Sequence, residues 1–332
     1  MLTNFQINVA QLFTEYSYEC LLGEGCFGKI YKLVKKDTNE VFAVKKVYID
    51  PKYHNRELDN FYALKDSPGI LKLVHYAEES LDNLTIFLDQ FSEKKGNGFI
   101  EQERDSLWRV SKNYSKVLYI LTKAYDNNLR SYILSNKLDR RAFKLISLQL
   151  LKGLHEMHRK GVAHRDLKPD NILINEKSFE VVIADLGSAK QIGLNKGGIA
   201  YICSRAYRAP ELLMGSTVYG TRIDLWSLGC ILFEMMNETG SRFFRGKNGK
   251  EMLREILRVI GEFNDKDLKG MNVKKKVTIE SKIHMIDVAK LVRSCFTKED
   301  IDFGLSFLKW NPNDRKEAGS LINSKYFEDV QG

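Results

Sequence analysis

The chain is poor in the residues that staple or interrupt small folds. Of 332 residues, only five are cysteine and five proline. The cysteines (Cys20, Cys26, Cys203, Cys230, Cys295) are odd in number and scattered, with no C-x-x-C pair. This spacing argues against a zinc ribbon or a disulfide framework and predicts a reducing compartment. No stretch reaches the roughly 18 consecutive apolar residues that a membrane span needs. The opening residues, Met1-Leu-Thr-Asn-Phe-Gln, place no basic stretch before an apolar run, so no secretory leader is expected. Long basic tracts interleaved with aromatics are also lacking. The predicted setting is intracellular, cytoplasm or nucleus, with neither a membrane nor a specific nucleic acid as partner.

Hydrophobic residues make up 43% of the chain and charged residues 29%, far too apolar for disorder. The length suits two packed lobes better than one core. Net charge is +9, which by itself fits an anionic membrane, a nucleic acid or a phosphorylated partner equally. The compact cluster Lys274-Lys275-Lys276 reads as a solvated loop. Lys29–Val34 and Glu40–Val47 combine β-branched and aromatic residues around a turn at Asp37-Thr-Asn, which predicts strands. Residues 54–65 predict a helix. From about residue 140 the period lengthens: Phe143, Ile146, Leu150, Leu151 and Leu154 recur at helical spacing, and Ile223–Met236 and Met252–Ile260 behave alike. The expected fold class is α+β, a small β-rich lobe with one helix followed by a larger, mainly helical lobe.

Chemistry enters with Leu22-Gly-Glu-Gly-Cys-Phe-Gly-Lys-Ile-Tyr, where Gly23, Gly25 and Gly28 form G-x-G-x-x-G. Glycine lets backbone N–H groups approach an anion, although an ordinary hairpin would also carry this pattern. A Rossmann fingerprint requires a helix after the glycines, and Ile30-Tyr-Lys-Leu-Val reads as a strand. A Walker A motif fails at Ile30, where serine or threonine must ligate magnesium. Lys45 lies within a strand-forming run, and Glu57, twelve positions later, is placed to hold its ammonium as a fixed ion pair.

The densest cluster is His164-Arg165-Asp166-Leu167-Lys168-Pro169-Asp170-Asn171, followed by Ala184-Asp185-Leu186-Gly187 and Ala209-Pro210-Glu211. With these motifs in this order, the chain resembles the eukaryotic protein kinase family from about Tyr18 to Phe327. The resemblance implies a bilobal protein kinase fold, with an N-lobe over 1–125 and a C-lobe over 126–332. It implies a serine/threonine protein kinase that moves the γ-phosphate of Mg-ATP to protein hydroxyls. Asp166 would accept the substrate hydroxyl's proton, and Lys168 would sit against the transferring phosphate. Lys45, braced by Glu57, would hold the α- and β-phosphates. Asn171 and Asp185 offer the hard oxygens that Mg²⁺ prefers. Nucleotide contacts would also come from Leu22, Gly23, Glu24, Gly25, Cys26, Phe27, Gly28, Lys29, Ile30 and Ala43. His164 would belong to the packed interior. Asp224 would tie down the catalytic loop, Arg315 would pair with Glu211, and Ser204 would contact Asp166 and Lys168. Leu186 replaces the family's usual phenylalanine and keeps an apolar plug.

Tyr201-Ile-Cys-Ser-Arg-Ala-Tyr-Arg-Ala-Pro-Glu211 and the extra segment Phe244–Gly261 resemble the CMGC group, the glycogen synthase kinases above all. That likeness implies a basic pocket of Arg56, Arg165 and Lys190 for a phosphate already on the substrate, or on the activation segment, and a regulatory tyrosine at Tyr201. Three alternatives stand beside it. A cyclin-dependent kinase would need a cyclin or other activating partner. A pseudokinase scaffold should have lost Lys45, Asp166 or Asp185. A basic nucleic-acid-binding module would rest on charge alone. Two segments compete for the hinge strand, Leu84–Phe91 and Val117–Tyr125. The second is favoured, with Thr122 behind the adenine and residues 92–116 as an exposed insertion.

Overall fold

The computed structural model describes residues 5–25, 28–52, 55–91, 114–192, 200–273 and 284–331. Two compact units emerge, Met1–Lys65 with Leu71–Ala124 and Asp66–Ile70 with Tyr125–Gly332. The Lys274–Lys276 cluster and residues 92–113 of the expected insertion lie outside the described residues, as do Cys26 and Phe27. No described helix is long and apolar enough to cross a membrane. The four described cysteines are all free.

The first unit is built on an antiparallel five-stranded sheet: β1 (Tyr16–Gly25), β2 (Gly28–Lys35), β3 (Val41–Ile49), β4 (Leu73–Ser80) and β5 (Lys116–Lys123), in the order β1-β2-β3-β5-β4. Side chains alternate across a strand, so Phe42 and Val44 of β3 share one face with Tyr31 and Leu33 of β2 and Val117, Tyr119 and Leu121 of β5. Lys45 alternates onto the other face. The apolar face is covered by two helices besides the one expected. Helix α1 (Val9–Glu15) contributes Val9, Leu12 and Phe13, and helix α3 (Leu81–Phe91) contributes Leu84 and Leu88. Each such burial stabilises by about 1.5–3 kcal/mol relative to exposure. The Phe13 ring meets Tyr119 edge-on, centroids 6.0 Å apart.

Both extra helices carry start signals. Asn8 and Gln11 form a reciprocal capping box ahead of α1, at 2.7 and 3.1 Å. The Ser80 hydroxyl accepts the Asn83 amide at the head of α3. Leu84–Phe91, the rival hinge strand, therefore lies in a helix, while Lys116–Lys123 is the strand β5. Leu84 and Leu88, four apart, are buried while Ile86 between them is 57% exposed; a strand would have sent Leu84 and Ile86 to the same side. The expected helix is α2 (Glu57–Ala63), shorter than the 54–65 expected from the sequence.

The second unit is mainly helical. Helix α4 (Leu129–Ser135) follows the short strand β6 (Asn127–Asn128), and α5 (Arg140–Arg159) starts on the Asp139 cap. Strands β8 (Ile172–Asn175) and β9 (Glu180–Ile183) complete a sheet in the order β6-β8-β9, while β7 (Val162–Ala163) pairs with β10 (Lys190–Gln191). Among the described residues there follow α6 (Pro210–Leu213), α7 (Arg222–Met236), α8 (Gly249–Ile260), α9 (Asp265–Gly270), α10 (Lys298–Leu305) and the short α11 (Ala318–Ile322). Helix α7 is buried from Ile223 to Met236, so it forms the spine of this core. The Tyr326 hydroxyl donates to Asp300 at 2.6 Å, and Arg140 donates to the same carboxylate, which seats the C-terminal segment against α5 and α10.

Arg315 and Glu211 are both buried and joined by parallel bonds of 2.7 and 2.6 Å. Arg315 also donates to the carbonyls of Lys309 and Arg222, so its donors are largely met. Removing one partner strands the other charge without water. Glu211→Ala should therefore cost about 3–5 kcal/mol in a urea-unfolding measurement. A loss below about 1 kcal/mol would show that the pair is dispensable.

Candidate active site

In the first unit, β1 and β2 form the glycine-bearing hairpin, with Gly25 opposite Gly28 and Gly23 opposite Ile30. The residues after Gly28 are a strand, which removes the dinucleotide-binding alternative. Leu22 sits in a register shift between Leu21 and Gly23 and is 51% exposed, and Ile30 is 37% exposed. Glu24 and Lys29 face each other across the hairpin at 3.7 Å. Gly28 is needed for the fold: φ is +125°, and a Cβ there would lie 2.0 Å from the Lys46 carbonyl oxygen. Gly23 and Gly25 differ, because a Cβ at either meets no described atom within 4 Å. Packing does not demand glycine at those two positions.

Lys45 stands opposite Ile30 of β2 and Ile120 of β5. Its ammonium bonds both oxygens of Glu57, at 2.8 and 2.9 Å, and Glu57 is nearly fully buried. The α2 helix that presents Glu57 opens with the Asn55 side chain accepting the Glu57 amide. Ala43 pairs with Thr122, whose hydroxyl lies 3.5 Å from the Ala43 carbonyl.

In the second unit, the segment after β7 gathers the other polar residues. Asp166 accepts the Ser204 amide at 2.8 Å and the Ser204 hydroxyl at 2.9 Å through one oxygen, and the Lys168 ammonium at 2.9 Å through the other. Lys168 also reaches the Ser204 hydroxyl at 3.3 Å. Asn171 donates its amide nitrogen to the Asp166 carbonyl at 2.9 Å, which leaves its side-chain oxygen for a different partner. The Asn171 carbonyl accepts the Ala184 amide, and the His164 imidazole bonds the Ala184 carbonyl at 2.8 Å. Asp185 follows with left-handed backbone, φ 56°, and Leu186 beside it is fully buried. Asp166, Lys168, Asn171 and Ser204 thus share one network, and Asp185 directly follows Ala184, which bonds both Asn171 and His164.

Asp224, on α7, is what shapes this segment. It is 1% exposed and accepts the His164 and Arg165 amides at 2.8 and 2.9 Å, with the His158 ring at 2.9 Å. Burial opposes its ionisation, but the His158 hydrogen bond and the nearby positive charges outweigh it and hold the carboxyl below its usual range. Arg165 takes φ +69°, and its Nε is buried without a hydrogen-bond partner among the described residues. Lys190 of β10 pairs with Ala163 of β7, two residues before Arg165. The third basic residue, Arg56, is the N-cap of α2 in the first unit. Tyr201 is 75% exposed, with the Arg208 guanidinium 4.3 Å from its ring centre; Arg205 and Arg208 lower its pKa.

Several residues in this neighbourhood escape motif reading. Arg130 of α4 donates to Glu234 of α7 at 2.6 Å, and the Tyr207 hydroxyl donates to the same oxygen at 3.1 Å. Arg130 also lies 3.8 Å from the half-exposed Asp170, which belongs to the loop of Asp166. These partners come from distant parts of the chain, and nothing in their local sequence marks them as a group. A family model described as the protein kinase domain matches residues 16–327 of the chain.

The lowered pKa of Asp224 sets a sign for acid stability. Its contribution is complete above the unfolded value near about pH 4 and is lost as pH falls through the lower folded value. Asp224→Asn cannot titrate, so the variant should be less stable than wild type at pH 7 yet lose less stability between about pH 4 and 2. Parallel pH slopes in chemical denaturation of the two proteins would refute this.

Proposed function

The chain belongs to the protein kinase domain family, and from that premise we propose that it is a serine/threonine kinase of the CMGC group, similar to glycogen synthase kinases, that phosphorylates protein substrates with Mg-ATP. The observation that carries this reading is the Asp166 network. One oxygen is held by Ser204 and the other by Lys168, so the carboxylate is fixed in direction beside an ammonium. Such a carboxylate orients a substrate hydroxyl and takes its proton as the bond to phosphorus forms. Lys168 offsets the negative charge of the transferring group. Ser204 and the Lys168-Pro169 pair support serine and threonine as acceptors.

The nucleotide reading rests on the hairpin and on the Lys45–Glu57 pair. The space at Gly23 and Gly25 lets backbone N–H groups close on phosphates, and Lys45 supplies a fixed ammonium for the α- and β-phosphates. Leu22, Ile30 and Ala43 offer apolar surface for a flat base, and the backbone of Lys123–Tyr125 would offer it hydrogen bonds. Asn171, with its amide nitrogen committed to Asp166, and Asp185 suit a hard divalent cation; Mg²⁺ bound there would neutralise charge on the phosphates. Cys26 and Phe27, which complete the loop, lie outside the described residues.

Arg165, whose buried Nε has no partner among the described residues, and Lys190 on the adjoining ladder support a phosphate-accepting site on the second unit. The Arg205 and Arg208 guanidinium groups beside Tyr201 suit a phosphotyrosine there equally well. The Lys45–Glu57 pair is closed in the chain by itself, which favours an enzyme that needs no cyclin over a cyclin-dependent one.

A peptide-array assay with Mg-ATP tests the central claim. Asp166→Asn should lower turnover by about 10²–10⁴-fold while ATP still binds. Labelling confined to tyrosine, or undiminished turnover in Asp166→Asn, would overturn it. Peptides carrying a phosphate near the acceptor should be preferred, and Arg165→Ala should erase the preference. Equal use of primed and unprimed peptides by the wild type removes the priming site.

A further inference from the structure

Helix α2 cannot hold Glu57 in place by its own stability. It has seven residues, and its N-cap, Arg56, makes no side-chain capping bond. An isolated helix needs about 12–15 residues to persist in water, so the orientation of α2 must come from packing. One such contact lies at its far end. Tyr62 meets the Phe5 ring at 6.0 Å and 65°, and the Tyr76 ring at 6.4 Å and 90°, both edge-on arrangements.

Phe5 is held there by the sheet. The Ile7 amide donates to the Tyr76 carbonyl at 2.9 Å, and the Tyr76 amide donates to the Phe5 carbonyl at 2.8 Å. Gln6 bridges Tyr76 in parallel, and its side-chain oxygen accepts the Tyr76 hydroxyl at 3.2 Å. Tyr76 stands opposite Ile120, and Ile120 opposite Lys45. Gln6, Tyr76, Ile120 and Lys45 therefore occupy one row across four neighbouring segments. Immediately after Ile7, the Asn8–Gln11 capping box starts α1, whose Val9, Leu12 and Phe13 are embedded in the sheet's apolar face. The segment is thus anchored on both sides of Gln6. Burial and the adjacent Tyr76 raise the Tyr62 pKa to about 12, so the ring stays neutral at working pH.

We propose that Phe5, acting through Tyr62, is a positioning residue for the Lys45–Glu57 pair, so that residues 5–7 brace, from within the same chain, the helix that carries Glu57. This rests on the reading that Lys45 and Glu57 serve the nucleotide. Phe5 restricts the helix that carries Glu57 from the residue before Gln6, the position that stands in the same row as Lys45.

The test is a double-mutant cycle on the full chain, reading KM for Mg-ATP and kcat on a degenerate hydroxyl-peptide pool. Phe5→Ala should lower kcat/KM for Mg-ATP by about three- to tenfold, with a single cooperative melt retained. Phe5→Tyr, which keeps the ring, should stay within about twofold of wild type. In a Glu57→Gln background, Phe5→Ala should have no further effect, because its influence runs through that carboxylate. Should Phe5→Ala melt below the assay temperature, Phe5→Leu carries the same cycle. Unchanged kinetics in the Phe5 variant, or losses that multiply with those of Glu57→Gln, overturn the positioning role. If Glu57→Gln alone is harmless, the nucleotide reading fails as well. An impaired Glu57→Gln beside an unaltered Phe5→Ala removes only the positioning role.

Discussion

The carboxylate of Asp224 accepts the amides of His164 and Arg165, and on those two bonds the polar segment of the second unit depends. They hold Arg165 in left-handed backbone, a conformation that costs a non-glycine residue free energy and persists only when its surroundings dictate it. Asp166 then leaves the turn aimed at Ser204 and Lys168. Asp224 sits on α7, the most thoroughly buried helix, so a rigid core element sets the geometry of an otherwise irregular loop. The arrangement is a carboxylate network in which nearly every oxygen has a partner. That is the condition under which buried charge orders a structure instead of weakening it.

The first unit solves a related problem by other means. Its ion pair joins a strand residue to a helix too short to stand alone, so the sheet must locate both partners. Alternation along β3 sends Phe42 and Val44 into the apolar layer beneath α1 and α3 and Lys45 to the opposite face, toward Glu57. The apolar layer fixes the register, because a slip of one residue would exchange the two faces. Packing on one side of the sheet thereby determines where an ammonium stands on the other.

Local signals accounted for much of this. The strands β2 and β3, the spacing of Lys45 and Glu57, and the helical period of α5, α7 and α8 were legible because side-chain periodicity reports directly on burial. The extra helices were overlooked although their signals were present. Asn8 and Gln11 are spaced for a capping box, and Leu81, Leu84 and Leu88 recur at helical intervals within a segment whose β-branched and aromatic residues also suit a strand. Arg130, Tyr207 and Glu234 could not be found this way. Each is an ordinary residue locally, and their hydrogen bonds span 104 and 27 positions.

By itself the amino-acid order determined the family, the residue types available for phosphoryl transfer, and the strand that must follow the glycine turn. These depend on identity and short spacing, which a linear chain displays. Tertiary structure alone decided which carboxylates are paired and by what: Asp166 by Ser204 and Lys168, Asp224 by two backbone amides, Glu211 by Arg315. It also decided that Phe5 lies against the Glu57 helix. Hydrogen bonds and ring contacts act only over a few ångströms, so partners far apart in the chain meet only when the whole sheet and helix core brings them there.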